Sequence, residues 1–191
     1  MKFTPFFLLI VGAFTVLLPS TAAAQRDYFT LEEIEIIRDA QEIDLRIEAL
    51  VKMIDRRFTA MKVEVGGAKI SAKDTEKWGV LPESSRFQLL LDIKRILQKA
   101  VDDIDSLAER PDSAILSDPE DKDKKRPKGI ELFPIAVRHL AAAAKRYQPA
   151  LKAELDAPNS AAEKGSVLDS LEFCDQIIAA VAKLPPPKPK K

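Results

Sequence analysis

EIDLRIEALVKMIDRRF, residues 42–58, decides how the whole chain is read. Ile43, Ile47, Leu50, Ile54 and Phe58 recur at steps of four and three, and the positions between them are mostly charged. That is the period of one helix face, not the alternation of a half-buried strand. The stripe extends back to Ile36 and Ala40 and forward to Met61. One helix is therefore predicted from about Leu31 to Met61, roughly 45 Å long at 1.5 Å per residue. Thr30 is its expected N-cap, with Glu33 completing a capping box and Phe29 and Ile34 placed as a hydrophobic staple. Glu42 with Arg46, and Glu48 with Lys52, stand four apart in the order that supports an exposed helix face.

Three further segments share this period. Between Val63 and Ser84 the pattern lapses: Gly66-Gly67, Gly79 and Pro82 punctuate a long, partly irregular loop, and KVEVGGAKIS alternates weakly enough to suggest a small hairpin. Ser85 and Gln88 then form a second capping box. Phe87, Leu90, Ile93, Leu97, Ala100, Ile104 and Leu107 stripe a second helix, which Arg110-Pro111 ends. Pro111–Lys128 reads as a charged linker with too little apolar surface to order itself. A third helix spans about Ile130 to Leu155, striped by Phe133, Val137, Leu140, Ala144, Tyr147, Leu151 and Leu155. Pro134 fits its first turn, and Pro149 predicts a kink or break. Ser160 and Glu163 cap a fourth helix carrying Val167, Leu171, Cys174, Ile178 and Val181. Four stripes of similar length can close on one another, so the expected fold is all-α, a four-helix bundle of long amphipathic helices.

The first residues predict export. Lys2 is a minimal basic start, Phe6–Leu18 an apolar run of about 13 residues, and Ala22-Ala23-Ala24 offers small residues for cleavage. The run is too short for a membrane span, and no cysteine lies near the cleavage point to carry a lipid. The expected organisation is a cleaved signal peptide at 1–24, a helical domain at 25–184 and a Pro/Lys-rich tail, PPPKPKK, at 185–191. The expected destination is a bacterial periplasm or the extracellular medium. Thirty basic and thirty acidic residues balance, which argues against nucleic acid and against a basic membrane-binding surface. One cysteine forbids an internal disulfide.

Sites common in helical bundles find little support. A di-iron centre needs two Glu-x-x-His motifs, and the single histidine, His139, has Ala136 three residues before it. Covalent haem needs Cys-x-x-Cys-His. A non-covalent haem between His139 and Met53 or Met61 is the only haem arrangement left, and His139 lies off the main stripe. Cys174 lies on the stripe of its helix and reads as a small apolar residue without an activating base. Asp102, Asp103 and Asp105 read as solvated carboxylates near a helix end. DPEDKD lacks the glycine and closing glutamate of a calcium loop. Trp78, in the first loop, is either a partner-binding anchor or a ring that pins the loop to the core.

These readings give no catalytic residue, no cofactor and no metal ligand. The expectation is a non-catalytic protein that acts by binding a protein partner or small ligand, through a helix groove or the Trp78 loop. A ligand or haem carrier is one alternative. The other is a homo-oligomer such as a dimer, hinted at by Ile34 and Ile37 beside the main seam.

Overall fold

Side chains at the helix starts set the boundaries. Thr30 Oγ1 accepts from the Glu33 N–H at 3.3 Å while Glu33 Oε2 accepts from the Thr30 N–H at 3.0 Å. Ser160 and Glu163 make the same reciprocal pair at 3.2 and 2.7 Å. Gln88 N–H donates to Ser85 Oγ at 3.3 Å. Each satisfies amide groups that a helix leaves without an internal partner. In this computed structural model, residues 27–67, 72–109, 129–157 and 160–186 are described. The expected signal peptide at 1–24, the linker at 111–128 and most of the tail lie outside the described residues.

The described chain is all-helical, without strands. Six α-helices follow one another: α1 (Leu31–Asp39), α2 (Ile43–Ala60), α3 (Ala72–Trp78), α4 (Arg86–Glu109), α5 (Phe133–Asp156) and α6 (Ala161–Ala180). Single 3-10 turns, Gly129–Leu132 and Val181–Lys183, precede α5 and follow α6. α2 packs on α4 and α5, and α6 packs on the same two helices. Their shared core holds Ile47, Leu50, Ile54 and Phe58 of α2 with Ile93, Leu97, Leu140, Leu151 and Val167. The Phe58 and Tyr147 rings meet with centroids 5.3 Å apart.

Four sequence readings need correction. The first helix is not continuous, because Ala40, Gln41 and Glu42 break it into α1 and α2. The break lets α1 fold back so that Glu33 meets Arg56, 23 residues on, at 3.3 Å. In an unbroken helix the two would stand about 35 Å apart. Second, the expected hairpin does not form at 63–67, where Gly66 and Gly67 adopt positive φ (71° and 91°); residues 68–71 lie outside the described residues. The loop carries α3 instead. Third, α5 runs through Pro149 unbroken. Pro149 is exposed, while Tyr147 and Leu151 on either side are fully buried and hold the helix in place. Fourth, Phe87 is 38% exposed and does not belong to the core stripe of α4, which includes Leu89 and Ile96.

The corrected stripe separates two substitutions of similar chemistry. Ile54→Ala removes a fully buried side chain and is expected to lower the unfolding free energy by about 2–5 kcal/mol. Phe87→Ala, at a partly solvated site, is expected to lower it by about 1 kcal/mol or less. Urea denaturation of the two variants checks the pair.

Candidate functional site

Asp55, Arg56 and Arg57 are consecutive, charged and buried, at 6, 1 and 1% exposure. Successive helix residues point about 100° apart, so three buried neighbours require packing elements on three sides of α2. Arg57 faces α1, where its guanidinium grips Glu33 as a fork: Nη2 donates to Oε2 at 2.6 Å and Nη1 to Oε1. Nη2 also donates to the Tyr28 carbonyl at 2.6 Å, and Nε lies 3.9 Å from Asp92 Oδ2 of α4. Arg56 shares Glu33 Oε1 at 3.3 Å and gathers the loop after α3, donating to the carbonyls of Trp78 at 2.9 Å and Val80 at 2.6 Å. Gly79 between them has φ +67°, and a Cβ there would lie 2.8 Å from the Glu32 carboxyl carbon. Two arginines and two carboxylates balance. Charge removed from water is tolerated when paired and hydrogen-bonded in this way.

The third side is α5. Asp55 accepts from the Tyr147 hydroxyl at 2.7 Å and from Arg146, whose two terminal nitrogens lie 3.4 Å from its oxygens. Arg146 also donates to the carbonyls of Val65 and Gly66 at 3.2 and 2.8 Å, and its guanidinium lies over the Tyr147 ring. A Cβ on Gly67 would fall 2.5 Å from Arg146 Nη1. The two glycines that suggested a hairpin serve as a close seat for Arg146. Burial, and then the Asp55 charge, push the Tyr147 hydroxyl well above its ordinary range.

Trp78 is 8% exposed. Its ring has Lys52 Nζ and the Arg56 guanidinium carbon each 5.9 Å from the centroid. Lys52, expected to pair with Glu48, instead reaches Asp74 of α3 at 2.5 Å. The indole thus lies inward beneath its loop, and the exposed apolar side chain of that loop is Val80, at 72%. His139 is exposed on α5, whereas Met53 is fully buried and Met61 half-buried. Asp102 and Asp105 are exposed as expected, but Asp103 is half-buried between Lys99 and Arg46. Cys174 is fully buried, and burial with the nearby Asp175 raises its thiol to about 12. A thiol so held is protonated at neutral pH and does not act as a nucleophile. Among the described residues, no group of three or more His, Cys, Asp or Glu side chains is arranged to hold a metal ion.

The ionic cluster was missed because its members look like a solvated helix face. The one available signal is the run DRR followed at once by Phe58, on a helix whose apolar stripe is already complete. Compared with known protein families, curated proteins and solved structures, the chain matches none.

Two measurements follow from this chemistry. Glu33→Ala leaves two buried arginines short of a counter-charge, with an expected loss of about 3–5 kcal/mol. Combining it with Arg57→Met is expected to lose less than the sum of the single changes, as a double-mutant cycle in denaturant will read. Cys174 and Tyr147 both have raised folded-state values, so their contribution is fully present below their ordinary values of 9.0 and 10.0. It is lost as the pH rises toward the folded values, since the unfolded chain gives up its protons first. Stability is expected to fall from about pH 9 to 12 by about 1.4 kcal/mol per pH unit for each such proton. Cys174→Ala should remove the part that begins near the thiol's ordinary value of 9.0.

Proposed function

We propose that the protein is an exported, non-catalytic four-helix bundle, formed by α2, α4, α5 and α6, which binds a protein partner at the end where α1 meets the loop after α3. One observation carries this reading. Leu31 and Val80, at 79 and 72%, are the most exposed large apolar side chains among the described residues. Their chain neighbours Glu32 and Gly79 approach closely. A lone exposed apolar side chain calls for no explanation, but two that flank the close approach of Glu32 and Gly79 can form a small apolar surface between them. The Glu33, Arg56 and Arg57 cluster ties both segments to α2. Trp78 belongs to this support, and Val80 makes the contact.

Export is proposed from the leader pattern at 1–24, and the periplasm or extracellular medium follows from it. The non-catalytic reading is supported by where the titratable groups are. Glu33, Arg56, Arg57 and Asp92 are buried against one another, Asp55 is buried against Tyr147 and Arg146, and Cys174 is kept protonated. Among the described residues no helix is long and apolar enough to cross a membrane.

A photoreactive amino acid in place of Val80, introduced in cells that make the protein, tests the reading. One discrete protein adduct is expected, and Leu31→Asp should abolish it while changing stability by about 0.5 kcal/mol or less, as surface substitutions do. Failure to form an adduct, or one indifferent to Leu31→Asp, sinks the proposal. An adduct with a second copy of the chain would replace it with self-association.

A further inference from the structure

Residues 40–42 hold a bend that their side chains do not demand. Neither glycine nor proline occurs between Leu31 and Ala60, and the apolar stripe passes through Ile36, Ala40 and Ile43 in helical register. The chain turns at Ala40 (φ −79°, ψ 79°), where the Gln41 N–H donates to the Asp39 carbonyl at 3.0 Å. This is an inverse γ-turn. Arg46 secures it, with Nε donating to the Ala40 carbonyl at 3.0 Å and Nη2 to the Ile37 carbonyl at 3.1 Å. In a continuous helix those two carbonyls would accept from the N–H groups of Asp44 and Gln41. Bent and straight forms therefore satisfy the same acceptors with different donors.

Beyond the bend, α1 is held by the ion pairs of Glu33 and by Ile36 and Ile37 packed against the core. Glu33 is the one residue of α1 that is fully buried, while Ile34, Ile36 and Ile37 are half-buried and Leu31 is exposed. Straightening the bend would carry Glu33 about 35 Å from its own Arg56. It would leave two buried arginines without their carboxylate, a state too unfavourable to persist unless another carboxylate enters. The occupant that matches the vacated seat residue for residue is α1 of another copy.

We propose that residues 40–42 are a hinge through which two copies exchange α1, so that each Glu33 pairs with Arg56 and Arg57 of the partner subunit. Exchange of an identical element needs no new contact surface, and the site of each copy is completed by the other. The straight form also restores the uninterrupted stripe from Ile36 to Phe58. The exchange rests on the geometry of Glu33, Arg56 and Arg57 and of the turn at Ala40, so it stands independently of the binding surface proposed above.

The protein as isolated is refolded from denaturant at increasing concentrations and weighed by light scattering after gel filtration. A dimer is expected whose share grows with refolding concentration and which survives dilution, because its return requires reopening. Glu42 has φ −78°, which a proline accepts in the bent form, whereas a proline inside a straight helix removes a hydrogen bond and clashes with the preceding turn. Glu42→Pro is therefore expected to cut the dimer about tenfold or more. Arg46→Ala, which releases the two carbonyls, is expected to raise it. Refolding equal amounts of Glu33→Ala and Arg57→Ala together should give heterodimer well above the half share that random pairing produces, since only the mixed pair contains one complete site. A chain that stays monomeric at every concentration overturns the exchange. So does a dimer unaffected by both Glu42→Pro and Arg46→Ala, and so does a mixture with no preference for the heterodimer.

Discussion

Glu33 must reach Arg56 and Arg57, and much of the architecture follows from that demand. A carboxylate that caps its own helix, accepting from the Thr30 N–H, also accepts the fork of one arginine and shares the other. No straight helix can bring these groups together, so the chain must turn between them. The turn sets α1 against α2 and the Tyr28 carbonyl on Arg57. Arg56, fixed by the same carboxylate, gathers the carbonyls at 78–80 and thereby determines where the first loop crosses. The positive φ of Gly79 follows, as does its close approach to Glu32.

Burial around the whole circumference of α2 is the second consequence. Met53 to Phe58 are six consecutive buried residues, so this turn of helix has packed chain on every side. The apolar sector faces α4 and α5, as any amphipathic helix would arrange it. The rest is covered by elements that contribute charge: α1 through Glu33, α4 through Asp92, α5 through Arg146. Desolvating these groups is expensive, and an apolar replacement of similar volume is often as stable or more so. The cluster is therefore better understood as fixing position than as adding stability. Forked arginine–carboxylate pairs accept a narrow range of geometries, whereas half-buried isoleucines on α1 can slide.

Legibility in the sequence divides along the same line. The all-helical class, the caps at Thr30 and Ser160, the first-turn place of Pro134 and the core role of Cys174 could all be read, because each rests on local spacing or on apolar periodicity. What could not be read depends on charge meeting charge across long separations. Asp55, Arg56 and Arg57 carry no mark that distinguishes a buried ion from a solvated one, and Glu33 announces itself only as a capping residue. The break at Ala40 was hidden for a related reason. Its local sequence favours continuing the helix, and the tertiary pull of Glu33 overrides that preference. Pro149 erred in the opposite direction: a strong local signal against helix yielded to the packing of Tyr147 and Leu151.

This division bears on where the molecule can do something. α2, α4, α5 and α6 bury a continuous apolar core, and opening any of them exposes much of it at once. α1 adds only half-buried isoleucines to that core, and it and the loop after α3 are tied to α2 by the contacts of Glu33 and Arg56. The same two segments carry Leu31 and Val80, the most exposed apolar side chains described. Because these contacts lie at one end, outside the core shared by α2, α4, α5 and α6, a rearrangement there need not open that core.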